Sequence, residues 1–310
     1  MSLIAPQAFE PNGRNLMTDL ITIANDHLTA EINPQGAELT HLHDADGREL
    51  MTDADPAFWT GHAPILFPVV GVVNEGVIRL DGTAYPMQKH GFARHSTFEV
   101  IAQTETSATF RLTDSEDTRK AYPFAFALDI VFTLDGATLA IEAHIHNRTE
   151  AAMPASFGFH PAFAWPLPYG EPRADHRITF SADEPGTLKA ISPDGQIAVD
   201  DRPSPVEDRV IALRDDLFAK DALVWDPIHS DALTYGARTG PQLQIAFPDT
   251  PKLGIWTKPG AAYVCVEPWH GIADPEGYTG DYRAKPGVFE IPAGGVKRIE
   301  MRVTLMAPTR

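Results

Sequence analysis

Short β-favouring runs separated by turns fill most of the chain, and this spacing constrains the fold more than any other feature. Runs such as 138–146 alternate apolar and polar residues, as half-buried strands do, and no segment keeps a helical period of about 3.6 residues. Asp81-Gly82 lies between two β-favouring runs and predicts a hairpin turn. The 27 prolines and 23 glycines also favour turns over long helices. We therefore predict an all-β, sandwich-like fold with few short helical turns.

The length of 310 residues allows one large all-β domain or two smaller domains. No internal repeat, low-complexity tract or linker divides the chain, so we predict a single domain over residues 20–310. Residues 1–19 lack a compact apolar segment, which predicts a loose N-terminal tail rather than a signal peptide, with Met17 as an alternative native start. Residues 164–210 are rich in Pro, Asp and Gly and predict a long loop or a small β-insert on the rim.

The formal net charge of −17 excludes one class of partner. A strongly acidic surface repels phosphate backbones, so we predict no nucleic-acid partner, although one basic pocket for a sugar phosphate remains compatible with this charge. No run of about 18 apolar residues is present, so we expect no membrane span. The only cysteine, Cys265, cannot form an intrachain disulfide, which suits a reducing compartment. The sequence therefore favours a cytoplasmic protein.

The stretch 263–271, Tyr-Val-Cys-Val-Glu-Pro-Trp-His-Gly, is typical of a buried strand that ends in a loop. Glu267 lies where the apolar run meets Pro268, and proline cannot continue a β-ladder. A carboxylate at the rim of a core can have a raised pKa and act as a general base. The alternative is a strand-end glutamate in a surface ion pair, and this stretch alone favours that alternative.

Two further stretches place a histidine among glycine, proline and aromatic residues rather than on a charged face. They are Gln88-Lys89-His90-Gly91-Phe92-Ala93-Arg94 and Phe157-Gly158-Phe159-His160-Pro161-Ala162-Phe163. Taken alone, His90 is better explained as a core histidine bonded to a backbone carbonyl, and Arg94 as a salt bridge to an acidic neighbour. Trp59 is equally well explained as a platform that stacks on a sugar and as a core aromatic residue. Only the combination of these residues indicates a function.

The motifs HGFAR, GFHPAF and VEPWHG, in this order, resemble the aldose 1-epimerase (galactose mutarotase) family, in particular its divergent bacterial branch. Segments 33–39, 63–68 and 253–257 resemble the family's opening hairpin, its AP-I-LFP segment and the strand that leads to the catalytic glutamate. The resemblance runs from about residue 20 to about residue 305, and it is specific because all the motifs occur in order. It implies a mostly antiparallel, galactose mutarotase-like β-supersandwich and an isomerase activity.

The resemblance also implies a role for each motif residue in interconverting the α- and β-anomers of a free aldose. Glu267 matches the base that removes the C1 hydroxyl proton, and His160 matches the acid that protonates the ring oxygen. His90 matches a second histidine that binds and polarises the sugar near that oxygen. Arg94 is implied to bind a sugar hydroxyl, or a phosphate in related enzymes. We therefore expect no cofactor and no metal, a monosaccharide as partner, and a monomer or homodimer.

One position departs from the family pattern. Family members often carry arginine just after the glycine of the FP-x-x-G segment, where Val72 stands here, and the loss of this bidentate donor leaves the sugar undetermined. Asp226 is a weaker candidate for a sugar contact, and a turn-initiating aspartate before proline is the favoured explanation. His144 and His146 have the spacing of two metal ligands on a strand, but no further ligands stand nearby, which favours a polar sheet face.

Three other functions stay open from the sequence alone. A hexose-6-phosphate mutarotase needs cationic groups at the mouth of its pocket, and Lys89 and Arg94 are the only ones adjacent to the motifs. A non-catalytic carbohydrate-binding protein can use the same fold but does not require both His160 and Glu267. A glycoside hydrolase normally uses two carboxylates, whereas the motifs offer one glutamate and two histidines.

Overall fold

The computed structural model describes residues 20–308 and is built almost entirely of strands. In chain order these are β1 (Ile21–Ala24), β2 (Leu28–Asn33), β3 (Glu38–Asp44), β4 (Ile65–Leu66), β5 (Val77–Leu80), β6 (Thr83–Pro86), β7 (Glu99–Gln103), β8 (Ser107–Thr113), β9 (Phe126–Asp135), β10 (Thr138–Asn147), β11 (Met153–Ala155), β12 (Phe157–Phe159), β13 (Ala162–Ala164), β14 (Arg177–Phe180), β15 (Thr187–Ile191), β16 (Ile197–Pro203), β17 (Val210–Ala212), β18 (Leu223–Trp225), β19 (Ala232–Gly236), β20 (Gln242–Ala246), β21 (Lys252–Trp256), β22 (Tyr263–His270), β23 (Phe289–Ile291) and β24 (Val296–Met306). The predicted tail at 1–19, including Met17, lies outside the described residues.

The helical elements are all short. They are the α-helix α1 (Glu116–Ala121) and the 3-10 turns Asn74–Gly76, Ala93–His95, Arg173–Asp175, Asp215–Phe218 and Tyr282–Ala284. Between residues 20 and 308 no helix is long and apolar enough to cross a membrane. The predicted all-β fold with few short helical turns is therefore confirmed.

Two large sheets dominate the topology. The larger has nine strands in the order β17-β14-β19-β20-β24-β10-β9-β8-β7. The other has eight, in the order β16-β15-β18-β21-β22-β12-β4 with β13 also paired to β22. A three-stranded sheet, β1-β2-β3, and two pairs, β11-β23 and β5-β6, complete the fold. All pairings between these strands are antiparallel.

The hairpin of β5 and β6 forms where the sequence predicts it. Asp81 and Gly82 both have positive φ, 50° and 79°, as a two-residue hairpin turn requires. Leu80 consequently pairs with Thr83 directly across the turn. The strand β10 likewise buries alternate residues along its length, which is the predicted pattern of one core face and one polar face.

The main hydrophobic cluster takes residues from all three of the larger sheets. It includes Leu39 of β3, Phe132 of β9 and Val266 of β22, each no more than 1 % exposed. Because a domain is characterised by its own continuous core, this cluster supports the proposal that residues 20–308 form the single domain predicted from the sequence.

The segment 164–210 is more regular than predicted. It supplies β14 to the nine-stranded sheet and both β15 and β16 to the eight-stranded sheet. The prediction of a long loop is therefore wrong for these strands, whereas β15 and β16 pair with each other at the edge of their sheet, as a small β-insert on the rim would. The partner strand β19 of β14 lies tens of residues away in the chain, as when Phe180 pairs with Leu233, and local composition does not reveal such a partner.

The strand β22 does not end at Glu267, where the sequence predicts its end. It continues through Pro268 to His270, and its ladder with β21 includes a Leu253–Pro268 pair. The Val266 N–H donates to the Pro161 carbonyl at 3.1 Å, on the side away from β21. Because backbone groups alternate sides along a strand, the Pro268 nitrogen also faces this break between β12 and β13. The missing N–H of proline therefore costs no bond to β21.

Glycines on the two strands beside β22 make room for the indole of Trp269. A Cβ atom at Gly254 of β21 would lie 2.5 Å from the Trp269 ring, and one at Gly158 of β12 would lie 2.6 Å from it. Contacts this short do not occur between carbon atoms in packed proteins. The ring therefore covers both neighbouring backbones and requires glycine at both positions.

We expect Gly254→Ala to destabilise the protein by about 1–3 kcal/mol, the usual cost of overpacking a core, because the added Cβ atom would force the indole off the β21 backbone. Urea unfolding measures this change. Gly186→Ala is the matched control, since a Cβ atom there meets nothing within 4 Å. Equal stability of the two variants would show that the Trp269 ring is loosely held.

Candidate active site

A cavity of about 280 Å³ is lined by residues that lie far apart in the chain. Five of the six predicted site residues line it, namely Trp59, His90, Arg94, His160 and Glu267. The volume is near the lower end of the range of roughly 300–1,000 Å³ for small-molecule pockets, so the cavity fits one small ring better than an extended chain.

Glu267 reaches this cavity because β22 has two different faces. Val264 and Val266 point into the main hydrophobic cluster. The alternate residues point to the other face, where Cys265 is fully buried and Glu267 and Trp269 line the cavity. The Glu267 carboxylate is consequently only 2 % exposed although it borders an opening.

His160 stands at the break between β12 and β13, beside the centre of β22. Its Nε2 atom lies 3.1 Å from Oε2 of Glu267, and the residue is 8 % exposed. Its Nδ1 atom is buried without a hydrogen-bond partner among the described residues. The two groups therefore form a buried carboxyl–imidazole pair, and the predicted surface ion pair of a strand-end glutamate is absent at Glu267.

Burial moves the two pKa values of this pair in opposite directions. It raises the pKa of Glu267 well above its usual value, because the charged carboxylate loses its water. It lowers the pKa of His160 to about 3 for the same reason, helped by the positive charges of Lys89 and Arg94. At pH values between the two pKa values the pair holds one proton, and burial favours the form in which both groups are uncharged.

His90 occupies an unusual backbone conformation opposite this pair. Its φ is 66°, and the following Gly91 at φ 75° packs against the Phe67 carbonyl, where any Cβ atom would lie only 2.1 Å from the oxygen. The Gly71 N–H donates to Nδ1 of His90 at 3.1 Å, so a neutral His90 carries its proton on Nε2. The alternative explanation of His90, a core histidine bonded to a backbone carbonyl, is therefore not observed, because the bond comes from a backbone N–H. Burial also lowers its pKa well below the usual value.

Aromatic rings surround the His160 imidazole. The ring of Trp59 lies 5.0 Å from that of His160, and His90 meets it edge-on at 5.8 Å. Trp59 also packs against Tyr263 and Trp256 at 5.7 and 5.8 Å. Trp59 therefore lines the cavity and also packs against a small hydrophobic cluster, and its role as a platform for a sugar stays a prediction.

Two cations line the cavity without a carboxylate partner in the described part of the chain. Arg94 donates to the Lys89 carbonyl at 3.2 Å, and its Nε atom is buried and unpaired. Burial lowers the pKa of Arg94, with the charge of Glu38 acting against that shift. The simple salt bridge considered for Arg94 is therefore not formed.

Asp226 and Val72 do not line the cavity. The Asp226 carboxylate accepts a hydrogen bond from Lys252 Nζ at 2.8 Å, so the structure does not support the prediction of a sugar contact there. Val72 accepts a bond from the Asp274 N–H through its carbonyl.

His144 and His146 contact Glu142 and Asp129, at 3.0 and 3.4 Å, in agreement with a polar sheet face.

Among the cavity residues without a role in the sequence-based prediction, three have aromatic or charged side chains. Trp256 and Trp269 line the cavity, and their positions just before and within the glutamate motif were a usable signal. Asp221 contributes an exposed carboxylate whose oxygen accepts the Ala222 N–H at 2.6 Å. Nothing around Asp221 in the sequence distinguishes it from other loop aspartates.

One group of possible metal ligands includes two residues that line the cavity. Donor atoms of His160, Cys265 and Glu267 all fall within 4.8 Å of one another. A cysteine binds metal as its thiolate, and burial raises the pKa of the Cys265 thiol well above its usual value. The group is therefore better suited to holding a proton than a metal ion.

A β-supersandwich with a buried carboxyl–imidazole pair in a small cavity defines the galactose mutarotase-like class of proteins. The family model for aldose 1-epimerase matches residues 19–277, and the chain belongs to the aldose 1-epimerase family. The resemblance inferred from the three motifs is confirmed.

Relatives agree with this assignment. The chain is 33 % identical over 268 residues to the chromosomal protein LacX of Lactococcus lactis subsp. lactis, a match that covers 82 % of this chain and 88 % of LacX. It is similar to a galactose mutarotase related enzyme from Lactobacillus acidophilus, with a TM-score of 0.87, 32 % identity, and coverage of 94 % and 98 % of the two chains. A galactose mutarotase-like protein from Lactobacillus casei matches with a TM-score of 0.86, 30 % identity, and coverage of 92 % and 99 %.

We expect His160 to stay neutral between about pH 8 and pH 5, because burial lowers its pKa to about 3. We expect His90 to show no transition at the ordinary imidazole value of about 6.5, because burial lowers its pKa well below that value. Imidazole nitrogen shifts in NMR spectra measure this, with His160→Gln and His90→Gln to assign the signals. In urea-unfolded protein the same histidines should titrate normally. A transition of the folded His160 signal near pH 6.5 would contradict the burial described here.

Proposed function

We propose that the protein is an aldose 1-epimerase that interconverts the α- and β-anomers of a free aldose. The observation that carries this proposal is the His160–Glu267 pair, whose Nε2 and Oε2 atoms lie 3.1 Å apart beside the cavity. Membership of the aldose 1-epimerase family supports it. The proposed partner is therefore a monosaccharide, and the proposed chemistry requires no cofactor.

Anomer exchange needs an acid and a base that are close together. The C1 hydroxyl and the ring oxygen are bonded to the same carbon, so the groups that serve them must be neighbours. In the proposed mechanism the Glu267 carboxylate accepts the C1 hydroxyl proton while the His160 imidazolium donates a proton to the ring oxygen. The bond between C1 and the ring oxygen breaks, and C1 becomes an aldehyde. Rotation about C1–C2 and the reverse transfers then close the ring on the other face.

The two proton transfers leave the number of protons on the His160–Glu267 pair unchanged. The reactive form, carboxylate with imidazolium, and the resting form, with both groups uncharged, contain the same number of protons. Ring opening converts the first form into the second. Because burial favours uncharged groups, the surroundings of Glu267 and His160 favour this direction of proton transfer.

The remaining cavity residues would hold the sugar. With Nδ1 occupied by the Gly71 N–H, His90 offers an Nε2–H that can donate to a sugar oxygen. The faces of Trp59 and Trp256 provide apolar surfaces for the C–H groups of the ring. These residues would orient the aldose so that its C1 end meets Glu267.

Glycoside hydrolysis is less well supported by the same cavity. A hydrolase needs two carboxyl groups on either side of the bond to be cleaved. The second carboxylate of the cavity, Asp221, is exposed and bonded to the adjacent Ala222 N–H. A volume of about 280 Å³ also leaves little room for two linked sugar rings.

A hexose-6-phosphate mutarotase is the second candidate, and one observation favours it. Lys89 and Arg94 bring two positive charges to the cavity, and neither has a carboxylate partner among residues 20–308. Such cations bind phosphate oxygens through charge-assisted hydrogen bonds. The two candidates share the same proton chemistry and differ only in the group at the far end of the sugar.

We expect Glu267→Gln to lower the mutarotation rate by roughly 10²–10⁴-fold, because it removes the base while keeping the size of the side chain. Sugar affinity should change little. Polarimetry on freshly dissolved α-D-glucose and α-D-galactose, with the spontaneous rate subtracted, measures the first quantity, and calorimetry measures the second.

Glu99→Gln is the matched control, since Glu99 is an exposed carboxylate on β7 that does not line the cavity. If Glu267→Gln lost stability but kept its full rate, Glu267 would be a structural residue. If the unmodified protein bound sugar without any rate above the blank, it would be a non-catalytic carbohydrate-binding protein.

We expect kcat/KM to be higher for a free aldose than for its 6-phosphate. Comparing the two anomerisation rates by NMR exchange measurements tests this directly. The opposite order, together with a KM for the phosphate that rises at least about 10-fold in Lys89→Gln, would assign the protein to the second candidate function, because the lost charge would have bound the phosphate.

A further inference from the structure

Two histidines and a glutamate form a second cluster of metal-ligand type, outside the cavity. His41 and His43 are two residues apart on β3, so their side chains share one face of the strand. The chain then turns back along β3, and a bridge pairs His43 with Glu49 directly across this turn. Directly opposed residues also share a face, so all three side chains meet at one place.

The distances within this cluster are suitable for coordination. Oε2 of Glu49 lies 2.6 Å from Nδ1 of His41 and 3.3 Å from Nε2 of His43. All three donor atoms fall within 4.8 Å of one another. Ligand atoms around a tetrahedral zinc ion lie roughly 3.4 Å apart, given Zn–N and Zn–O bonds of about 2.1 Å. Small rotations of the His41 ring would bring the set to that spacing.

Glu49 is fixed in the orientation that a ligand needs. Its Oε1 atom accepts hydrogen bonds from the backbone N–H groups of Leu42 and Met51, at 3.1 and 2.9 Å. These bonds direct Oε2 toward the two imidazoles. Outer hydrogen bonds of this kind hold metal-binding carboxylates in position in many proteins.

We propose that His41, His43 and Glu49 bind a divalent transition-metal ion of the zinc type, with water in the fourth position. Two imidazoles and one carboxylate are the ligand types that zinc accepts, and imidazole disfavours magnesium and calcium. The three side chains are 35, 29 and 30 % exposed, so an ion can reach them from solvent.

The surrounding charge fits a divalent cation. Glu31 of β2 is the direct cross-strand partner of His41, which puts a second carboxylate on the same face. Glu49 and Glu31 together carry two negative charges when ionised, equal in size to the charge of the ion. Bound metal would fasten the edge strand β3 to the segment that follows it.

This site is independent of the proposed epimerase function. Neither the histidines nor Glu49 line the cavity. Its test therefore measures metal binding rather than turnover, and failure of the metal site would leave the epimerase proposal unaffected.

The experiment is calorimetric titration of Zn²⁺ into the full chain prepared without a polyhistidine tag. We expect one ion per chain. His43→Gln and Glu49→Gln should each weaken binding at least about 10-fold, since even outer-sphere changes at metal sites cost about 10–100-fold. His27→Gln, which changes an exposed histidine at the turn between β1 and β2, should bind as the unmodified protein does.

Thermal unfolding keeps the test valid if a variant is destabilised. Zn²⁺ should raise the unfolding midpoint of the unmodified protein and of His27→Gln, but not that of folded His43→Gln or Glu49→Gln. Binding that survives His43→Gln and disappears in Glu267→Gln would place the ion at His160, Cys265 and Glu267 and overturn the proposal. Absence of saturable binding at micromolar Zn²⁺ would overturn it as well.

Discussion

The Glu267 carboxyl group lies inside the eight-stranded sheet, and the rest of the site depends on that burial. A lone charge in such surroundings costs several kcal/mol, so the carboxyl group needs either a proton or a cationic neighbour. The imidazole of His160 lies 3.1 Å away, where it can give its proton to the carboxyl group or stay beside the carboxylate as a cation. Because burial also opposes a charge on His160, the two groups together retain one proton. A pair with one movable proton is what the exchange of two protons at a hemiacetal carbon requires.

The fold keeps this pair in place through the interruption between β12 and β13. His160 leaves the sheet there, and the adjacent Pro161 accepts the Val266 N–H through its carbonyl. Pro268 faces the same interruption, so neither proline removes a ladder bond that the sheet needs. The two faces of β22 then serve different purposes, since one fills the core and the other presents Glu267 to the cavity.

Burial also separates the two clusters that resemble metal sites. The cavity group of His160, Cys265 and Glu267 is buried, which favours neutral forms of its members and suits proton transfer. The cluster of His41, His43 and Glu49 is about one-third exposed, so its side chains can meet an ion from solvent. Similar donor atoms thus suit different chemistry because their access to water differs.

Much of the fold could be predicted from the sequence, because alternating patterns and hairpin turns are local. The turn at Asp81-Gly82 and the alternation in β10 are examples. The family could also be inferred, since its three motifs each span a few neighbouring residues. Those motifs contain His90, Arg94, His160 and Glu267, all of which line the cavity.

Other features were decided only by the tertiary structure, because they depend on which distant strands pair. The continuation of β22 past Pro268, the pairing of β14 with β19 and the exclusion of Asp226 from the cavity all depend on such partners. Asp221 enters the cavity through a loop with no local signal. The sequence alone therefore determined the β architecture, the family and the candidate acid and base. Cross-strand register and burial determined the distances between side chains, and through them the pKa values of the site.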